Sequence, residues 1–302
     1  MTQDLLQIDG ASPGAIPRRL PPWLRARSGH WGRVHDMKVL LTGSRLHTVC
    51  EEARCPNQGE CWTRGTATFM LLGETCTRSC GFCAVATGRP TPPDPEEPRH
   101  VAEASRRLGL RFVVVTSVAR DDLKDGGAGH FATTVRAIRE LNAEAQVEVL
   151  VPDFRADRSS IRTVVESGPT VFNHNLETVE RLTKQVRVQA RYHRSLEVLR
   201  IAKDLGQPVT KTGIMLGLGE TEDEVLVLLR DARDAGCSIL TIGQYLQPTK
   251  QHLPVIEFVH PDRFKALEET AYGLGFGSVY SGPLVRSSYH AELVARGPHA
   301  TP

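Results

Sequence analysis

The stretch ATFMLLGETCTRSCGFC, residues 67–83, decides the reading of this chain. Its first part is a short apolar run rich in β-formers that stops at Gly73, as a buried strand bounded by a turn residue does. Its second part sets Cys76, Cys80 and Cys83 at C-x3-C-x2-C spacing on one tight loop, with Gly81 expected to permit an unusual backbone angle. Five more runs of the same kind follow: RFVVVTSV (111–118), QVEVLVP (146–152), TVFNHN (170–175), PVTKTGIMLG (208–217) and ILTIGQYLQ (239–247). Amphipathic stretches separate them, which predicts a parallel βα architecture. After Thr221, a capping box with Glu224 precedes Val225, Leu228, Leu229 and Ala232 at helical spacing. Phe264, Leu267, Ala271 and Leu274 mark a second helical face. Six βα units are fewer than the eight of a closed barrel. The expected fold is therefore α/β, a partial (β/α)6 TIM-like barrel whose mouth lies at the C-terminal strand ends, where the cysteine loop follows the first strand.

The bulk numbers narrow the setting. A chain of 302 residues with 40% hydrophobic and 24% charged residues can bury one barrel-sized core or two ordinary ones. A formal charge of +2 from nearly balanced acids and bases points neither to nucleic acid nor to a membrane surface. The start, MTQDLLQIDG, carries acids and no long apolar run, unlike a secretory signal, and no segment reaches the roughly 20 apolar residues of a spanning helix. A reducing cytoplasm is the expected compartment. Seven cysteines there are unsuited to structural disulfides, and six of them lie between positions 50 and 83, which suggests metal ligation. The seventh, Cys237, reads as a small buried core residue.

Three thiolates on one loop leave one iron of a 4Fe-4S cluster open. An open iron can bind the amino and carboxylate groups of S-adenosylmethionine (SAM) and pass an electron into its sulfonium. The spacing of Cys76, Cys80 and Cys83, with Phe82 before the last, resembles the signature of the radical SAM superfamily. Structural zinc, the alternative, commonly pairs two C-x2-C elements and takes four ligands. The other triplet, Cys50, Cys55 and Cys61 in CEEARCPNQGEC, is also one ligand short, and on spacing alone a zinc site completed by His47 is a competing reading.

The string CEEARCPNQGECW followed by CTRSCGFCAVATGRP resembles the lipoyl synthase family. VARDDLKDGG (118–127), FNHNLETV (172–179), KTGIMLGLGE (211–220), YLQPTKQHLPV (245–255) and GPLVRSSYHAE (282–292) extend the resemblance from about residue 35 to 292. It implies two 4Fe-4S clusters and SAM as cofactors. The SAM-binding cluster would sit on Cys76, Cys80 and Cys83. An auxiliary cluster would sit on Cys50, Cys55 and Cys61, with Ser288 of the RSSY motif as fourth ligand. The implied reaction is radical-mediated insertion of two sulfur atoms at carbons 6 and 8 of a protein-bound octanoyl-lysine, the auxiliary cluster being the sacrificial sulfur source. No tuned carboxylate or histidine removes such unactivated hydrogens, so radical chemistry is required. The implied partners are octanoylated lipoyl domains of 2-oxoacid dehydrogenases and the glycine cleavage H protein, a low-potential ferredoxin or flavodoxin, and iron-sulfur carrier proteins.

Residues 1–45, rich in Pro and Arg and without periodicity, read as an N-terminal extension; with the resemblance, the rest divides into an auxiliary-cluster segment (46–65), the radical SAM barrel (66–278) and a C-terminal segment with RSSY (279–302). Gly217 and Gly219 lie at the end of the fifth strand, where glycines let a backbone approach an adenosyl group; a strand-to-helix turn is their other reading. Asn173, Asn175 and Glu177 end the fourth strand, as SAM contacts or as helix caps. Asp121, Asp122 and Lys124 follow the second strand in the same mouth, as site residues or as a charged surface loop. A dethiobiotin-type sulfur inserter would share the second triplet but lack the first triplet paired with RSSY. A non-catalytic iron-sulfur or zinc protein would cleave no SAM.

Overall fold

In a computed structural model the structure describes residues 20–24, 47–49 and 57–289. Cys50, Cys55 and most of the 1–45 extension lie outside the described residues, as does the side chain of His47. The strands are β1 (His47–Thr48), β2 (Thr66–Leu71), β3 (Thr75–Cys76), β4 (Ala86–Thr87), β5 (Phe112–Ser117), β6 (Gln146–Leu150), β7 (Val171–Asn173), β8 (Thr210–Leu216), β9 (Ile239–Gln244) and β10 (Ser278–Gly282). The helices are α1 (Gln58–Thr63), α2 (Glu97–Arg107), α3 (Ala128–Leu141), α4 (Arg158–Glu166), α5 (Glu180–Val186), α6 (Tyr192–Asp204), α7 (Glu222–Asp234) and α8 (Pro261–Gly273).

All six expected strands form, and they line up in chain order as β2-β5-β6-β7-β8-β9, every pair parallel. Each crossover thus moves one position along the sheet in the same direction, the winding that curls a sheet into a barrel arc. Two strands extend it. β1 pairs antiparallel with β2, and β10 pairs parallel with β9, making a seventh parallel strand. The break expected between 278 and 279 falls at the start of β10, so the C-terminal segment enters the sheet before leaving it. Its SVYSG sequence is short, polar and glycine-flanked, and carries little strand signal of its own; pairing with buried β9 supplies what its composition lacks.

Strands buried on both faces explain the unbroken apolar runs. Val113, Val114 and Val115 of β5 are fully buried, as are Phe69 and Leu71 of β2, each contributing roughly 1.5–3 kcal/mol by removal from water. The capping box at Thr221 and Glu224 is present, and Val225, Leu228, Leu229 and Ala232 form the buried face of α7. In α8, Phe264, Leu267 and Ala271 are buried, while Leu274 sits just past the helix end as its C-cap. Cys237 is fully buried, and burial pushes its thiol up to about 12, the profile of an inert core residue. The loops that follow β2, β5, β6, β7, β8 and β9 gather at the C-terminal edge of the sheet, and the first of them carries the cysteine triplet.

Candidate active site

The cysteine loop is launched by a turn at Leu72 and Gly73, both at positive φ (67° and 87°). A leucine there is costly. It is held by its neighbours: the Leu72 amide donates to Glu97 Oε2 at 2.8 Å, and Arg120 donates to the Leu72 carbonyl at 3.2 Å. Cys76 then pairs in β3 with β4, Cys80 makes a bridge to Arg187, and the Cys83 amide donates to the Cys80 carbonyl at 3.1 Å. Gly81 corrects the expectation placed on it. Its φ is not positive; a Cβ there would lie 2.8 Å from Leu253, so glycine is needed for close approach of the 245–255 segment. That segment clasps the loop through the Leu253 amide to the Gly81 carbonyl (3.0 Å) and His252 Nε2 to the Cys83 carbonyl (3.0 Å).

The three thiols are close enough to feel one another's charge. Burial pushes Cys80 up to about 12 and also raises Cys83, while the Arg187 guanidinium beside Cys80 pulls the other way. Ligation at Cys80 and Cys83 must therefore displace protons that water alone would not remove at neutral pH. Three soft donors, a fixed buried cation beside one of them and backbone amides aimed at another suit a thiolate-bound iron cluster. Among the described residues, no three His, Cys, Asp or Glu side chains surround a single-ion position.

The segment after β7 forms the floor of the mouth. Asn173 donates to Glu148 at 2.8 Å, Asn175 donates to Glu177 at 3.0 Å, and Glu177 sits at φ 68°. Burial raises the Glu177 carboxyl, opposed by Arg187. None of the three caps the following helix: α5 has Val179 as N-cap with no side-chain bond. Four buried atoms within six residues, Asn173 Oδ1, His174 Nε2, Asn175 Oδ1 and Thr178 Oγ1, have no hydrogen-bond partner among the described residues. Buried polar atoms seldom go unpaired, so such a cluster marks a polar ligand or ordered water. Burial and Arg187 bring His174 down to about 4, so it is neutral; Nδ1 lies 2.8 Å from the Val151 carbonyl.

At Gly217 and Gly219 the strand-to-helix turn is what the geometry displays. The Gly217 and Leu218 amides donate to the Glu220 carboxylate, and a Cβ on Gly217 would overlap Gln244 Nε2 and the Glu257 carbonyl. The 121–124 loop divides. Asp122 and Lys124 are exposed, whereas Asp121 turns inward to accept two hydrogen bonds from Arg78.

A second cleft is lined by Thr66 and Thr68 from the first half of β2. Cys61 on α1 and Ser288 line the same small cleft with Asn57, Gln58, Arg286 and Tyr289. Asn57 Nδ2 donates to the Leu284 carbonyl at 2.6 Å and the Tyr289 hydroxyl to Glu60 at 3.2 Å, tying the C-terminal strap to the helix. Cys50 and Cys55 lie outside the described residues. Residues to which sequence reasoning assigned no role include Arg187, His174, Thr178, Arg78 and Asp153; only their polarity inside apolar surroundings could have marked them.

The profile of the Radical SAM superfamily matches residues 70–232, more than half of the chain. The chain is 56% identical over 273 residues to a lipoyl synthase of Rubrobacter xylanophilus, covering 90% of this chain and 85% of that one. It is 55% identical over 283 residues to a lipoyl synthase of Caldanaerobacter subterraneus (92% and 99% covered) and 53% identical over 287 residues to one of Thermus thermophilus (94% and 89%). Among solved structures it resembles methylornithine synthase, with a TM-score of 0.57 and 15% identity, covering 81% of this chain and 74% of that one. It also resembles the FeFe-hydrogenase maturase of Carboxydothermus hydrogenoformans, with a TM-score of 0.56, 13% identity and coverage of 80% and 57%. At such identities the structural likeness shows the fold alone.

Proposed function

The chain belongs to the lipoyl synthase family within the radical SAM superfamily, and from that premise we propose that its two cysteine groups divide the work of inserting sulfur into an octanoyl chain. The substrate is an octanoyl-lysine on a carrier protein, and the product is the lipoyl group. When bound, SAM and its 4Fe-4S cluster supply a 5'-deoxyadenosyl radical able to take unactivated hydrogens. Cys76, Cys80 and Cys83 hold that cluster. Arg187, fixed by hydrogen bonds to the Asn175 and Leu176 carbonyls, keeps a positive charge beside Cys80. Asn175, Glu177, His174 and Thr178 face the polar part of SAM with unpaired polar atoms and a carboxylate; Asn173 offers its unpaired Oδ1, while its amide nitrogen donates to Glu148. Gly217 and Gly219 shape the loop beside the adenosyl position. Phe82, Met215 and Leu253, half-buried in the same apolar cluster, exclude water from the reacting chain.

The auxiliary cluster is held by Cys50, Cys55, Cys61 and Ser288, contributed by segments 46–65 and 279–302. One observation carries this part: Ser288 and Cys61, 227 positions apart, line the same cleft. An alkoxide is a weak partner for iron among sulfides, so a serine ligand suits a cluster that is opened as its sulfur is spent. The carriers are lipoyl domains of 2-oxoacid dehydrogenases and the glycine cleavage H protein; the electron comes from a low-potential ferredoxin or flavodoxin, and iron-sulfur carriers restore the auxiliary cluster. The reducing cytoplasm suits such thiol chemistry. Among the described residues no helix is long and apolar enough to cross a membrane.

The test is anaerobic reconstitution to about eight irons per chain, four for each cluster, followed by reaction with SAM, reductant and an octanoyl-lysine peptide. Mass spectrometry should find the lipoyl product. Cys80→Ala should abolish 5'-deoxyadenosine formation, and Cys55→Ala should retain some of it but make no lipoyl group. Lipoyl formation by the Cys55 variant would overturn the sulfur-donor assignment.

A further inference from the structure

Arg78 lies inside the cysteine loop, between Cys76 and Cys80, yet it faces away from solvent. Its guanidinium donates from Nε and Nη2 to both oxygens of Asp121 at 2.7 Å, and Nη2 donates again to Asp153 Oδ1 at 2.7 Å. Asp121 belongs to the loop after β5, and Asp153 to the loop after β6. Arg194 of α6 covers the other Asp153 oxygen at 2.7–2.8 Å. Burial alone would raise the Asp153 carboxyl, but the Arg78 hydrogen bond and charge overcome it and hold it well below the usual carboxylate range.

Thr77 fastens the same joint. Its amide and hydroxyl both donate to the Ala119 carbonyl (3.0 and 2.9 Å), and its hydroxyl accepts from the Asp121 amide at 3.1 Å. The consequence appears at Cys76. Two backbone amides point at its sulfur, that of Arg78 at 3.4 Å and that of Ala119 at 3.3 Å. One amide belongs to the clamped residue and the other to the residue pinned by Thr77.

We propose that Arg78 and Thr77 are positioning residues that set the reduction potential of the SAM-binding cluster, by clamping the cysteine loop so that two amides donate hydrogen bonds to Cys76 Sγ. The inference rests on the assignment of Cys76 as a cluster ligand and goes beyond it. Hydrogen bonds to a ligating sulfur stabilise the added negative charge of the reduced cluster and move its potential upward. Reduction is the step that must precede SAM cleavage, so the clamp eases electron entry from the donor. A lysine cannot replace Arg78, because a point charge lacks the planar fork that holds two carboxylates at once.

The test is a redox titration of the reconstituted holoenzyme followed by electron paramagnetic resonance. The signal that changes on adding SAM identifies the cluster with the open iron; the other signal serves as internal reference. Arg78→Lys and Thr77→Val both leave the net charge unaltered, so a simple charge effect is excluded. Each should shift the midpoint of the SAM-responsive cluster to lower potential, with the auxiliary midpoint and the iron content unchanged. Should Arg78→Lys bind too little iron to titrate, the smaller Thr77→Val change decides alone. Full iron content with an unmoved or raised midpoint overturns the proposal. A wild-type protein with no SAM-responsive signal would instead overturn the ligand assignment beneath it.

Discussion

Gly243, near the end of β9, should be indispensable to the auxiliary site although it is remote in sequence from either cysteine triplet. A Cβ built there would overlap the Val285 carbonyl oxygen and come within 3.1 Å of its carbon. The obstacle is backbone, so no rotamer change relieves it. Gly243→Ala must lift the strap at Val285 by on the order of 1 Å, at a cost of about 1–3 kcal/mol as for other overpacked sites. For a chain of this size each kcal/mol lowers the melting temperature by about 2–4 °C. The larger effect is local. Val285 precedes Ser288 by three residues, and Arg286 lies against the same glycine, so the displacement passes directly to the cleft shared with Cys61. The variant should retain 5'-deoxyadenosine formation while its auxiliary-cluster spectrum comes to match that of Ser288→Ala and lipoyl formation falls at least tenfold. Normal lipoyl formation with an unaltered auxiliary spectrum would show that the strap is not seated through Gly243.

Other outcomes follow from the fold. Lys211 and Glu148 form a fully buried pair, with Nζ 2.9–3.0 Å from both carboxylate oxygens; Lys211→Met should cost about 3–5 kcal/mol in urea unfolding, because Glu148 is left buried without its counter-charge, keeping only the Asn173 hydrogen bond. Adding Glu148→Leu should recover much of that loss, and failure to recover any would mean the pair is not the source. Glu224 is held down to about 2, first by its hydrogen bond from Arg181 and then, against burial, by the Thr221 amide. A depressed carboxylate contributes fully above its unfolded value near 4.3 and loses that contribution as pH falls toward 2. The stability gap between wild type and Glu224→Gln should accordingly be wide at pH 7 and shrink steadily below the unfolded value as pH falls toward 2; a gap independent of pH would contradict the assignment.

The match between sequence and fold was closest where one element carries its own signal. The six strand runs, the capping box at Thr221 and the cysteine loop after β2 are each written in a few adjacent residues, because strand burial, helix capping and chelate spacing are short-range requirements. Gly81 shows the limit even there: its glycine was legible, but the reason for it was not, since Leu253 meets it from a segment far along the chain.

Composition, periodicity and the spacing of Cys76, Cys80 and Cys83 by themselves pointed to a parallel βα barrel arc with a cysteine loop after its first strand. Tertiary structure alone decided the rest. The addition of β10 to the sheet, the Arg187 charge beside Cys80, the junction of Arg78 with Asp121 and Asp153, and the cleft shared by Ser288 and Cys61 all bring separate loops or strands together. Nothing in the local pattern around Ser288 distinguishes it from a surface hydroxyl. Its place is fixed by β10 returning the chain to the sheet, by Gly243 letting the strap lie close, and by Asn57 holding the Leu284 carbonyl. Such contacts depend on which strand ends the winding of the sheet brings together, and that winding leaves no mark on any single segment.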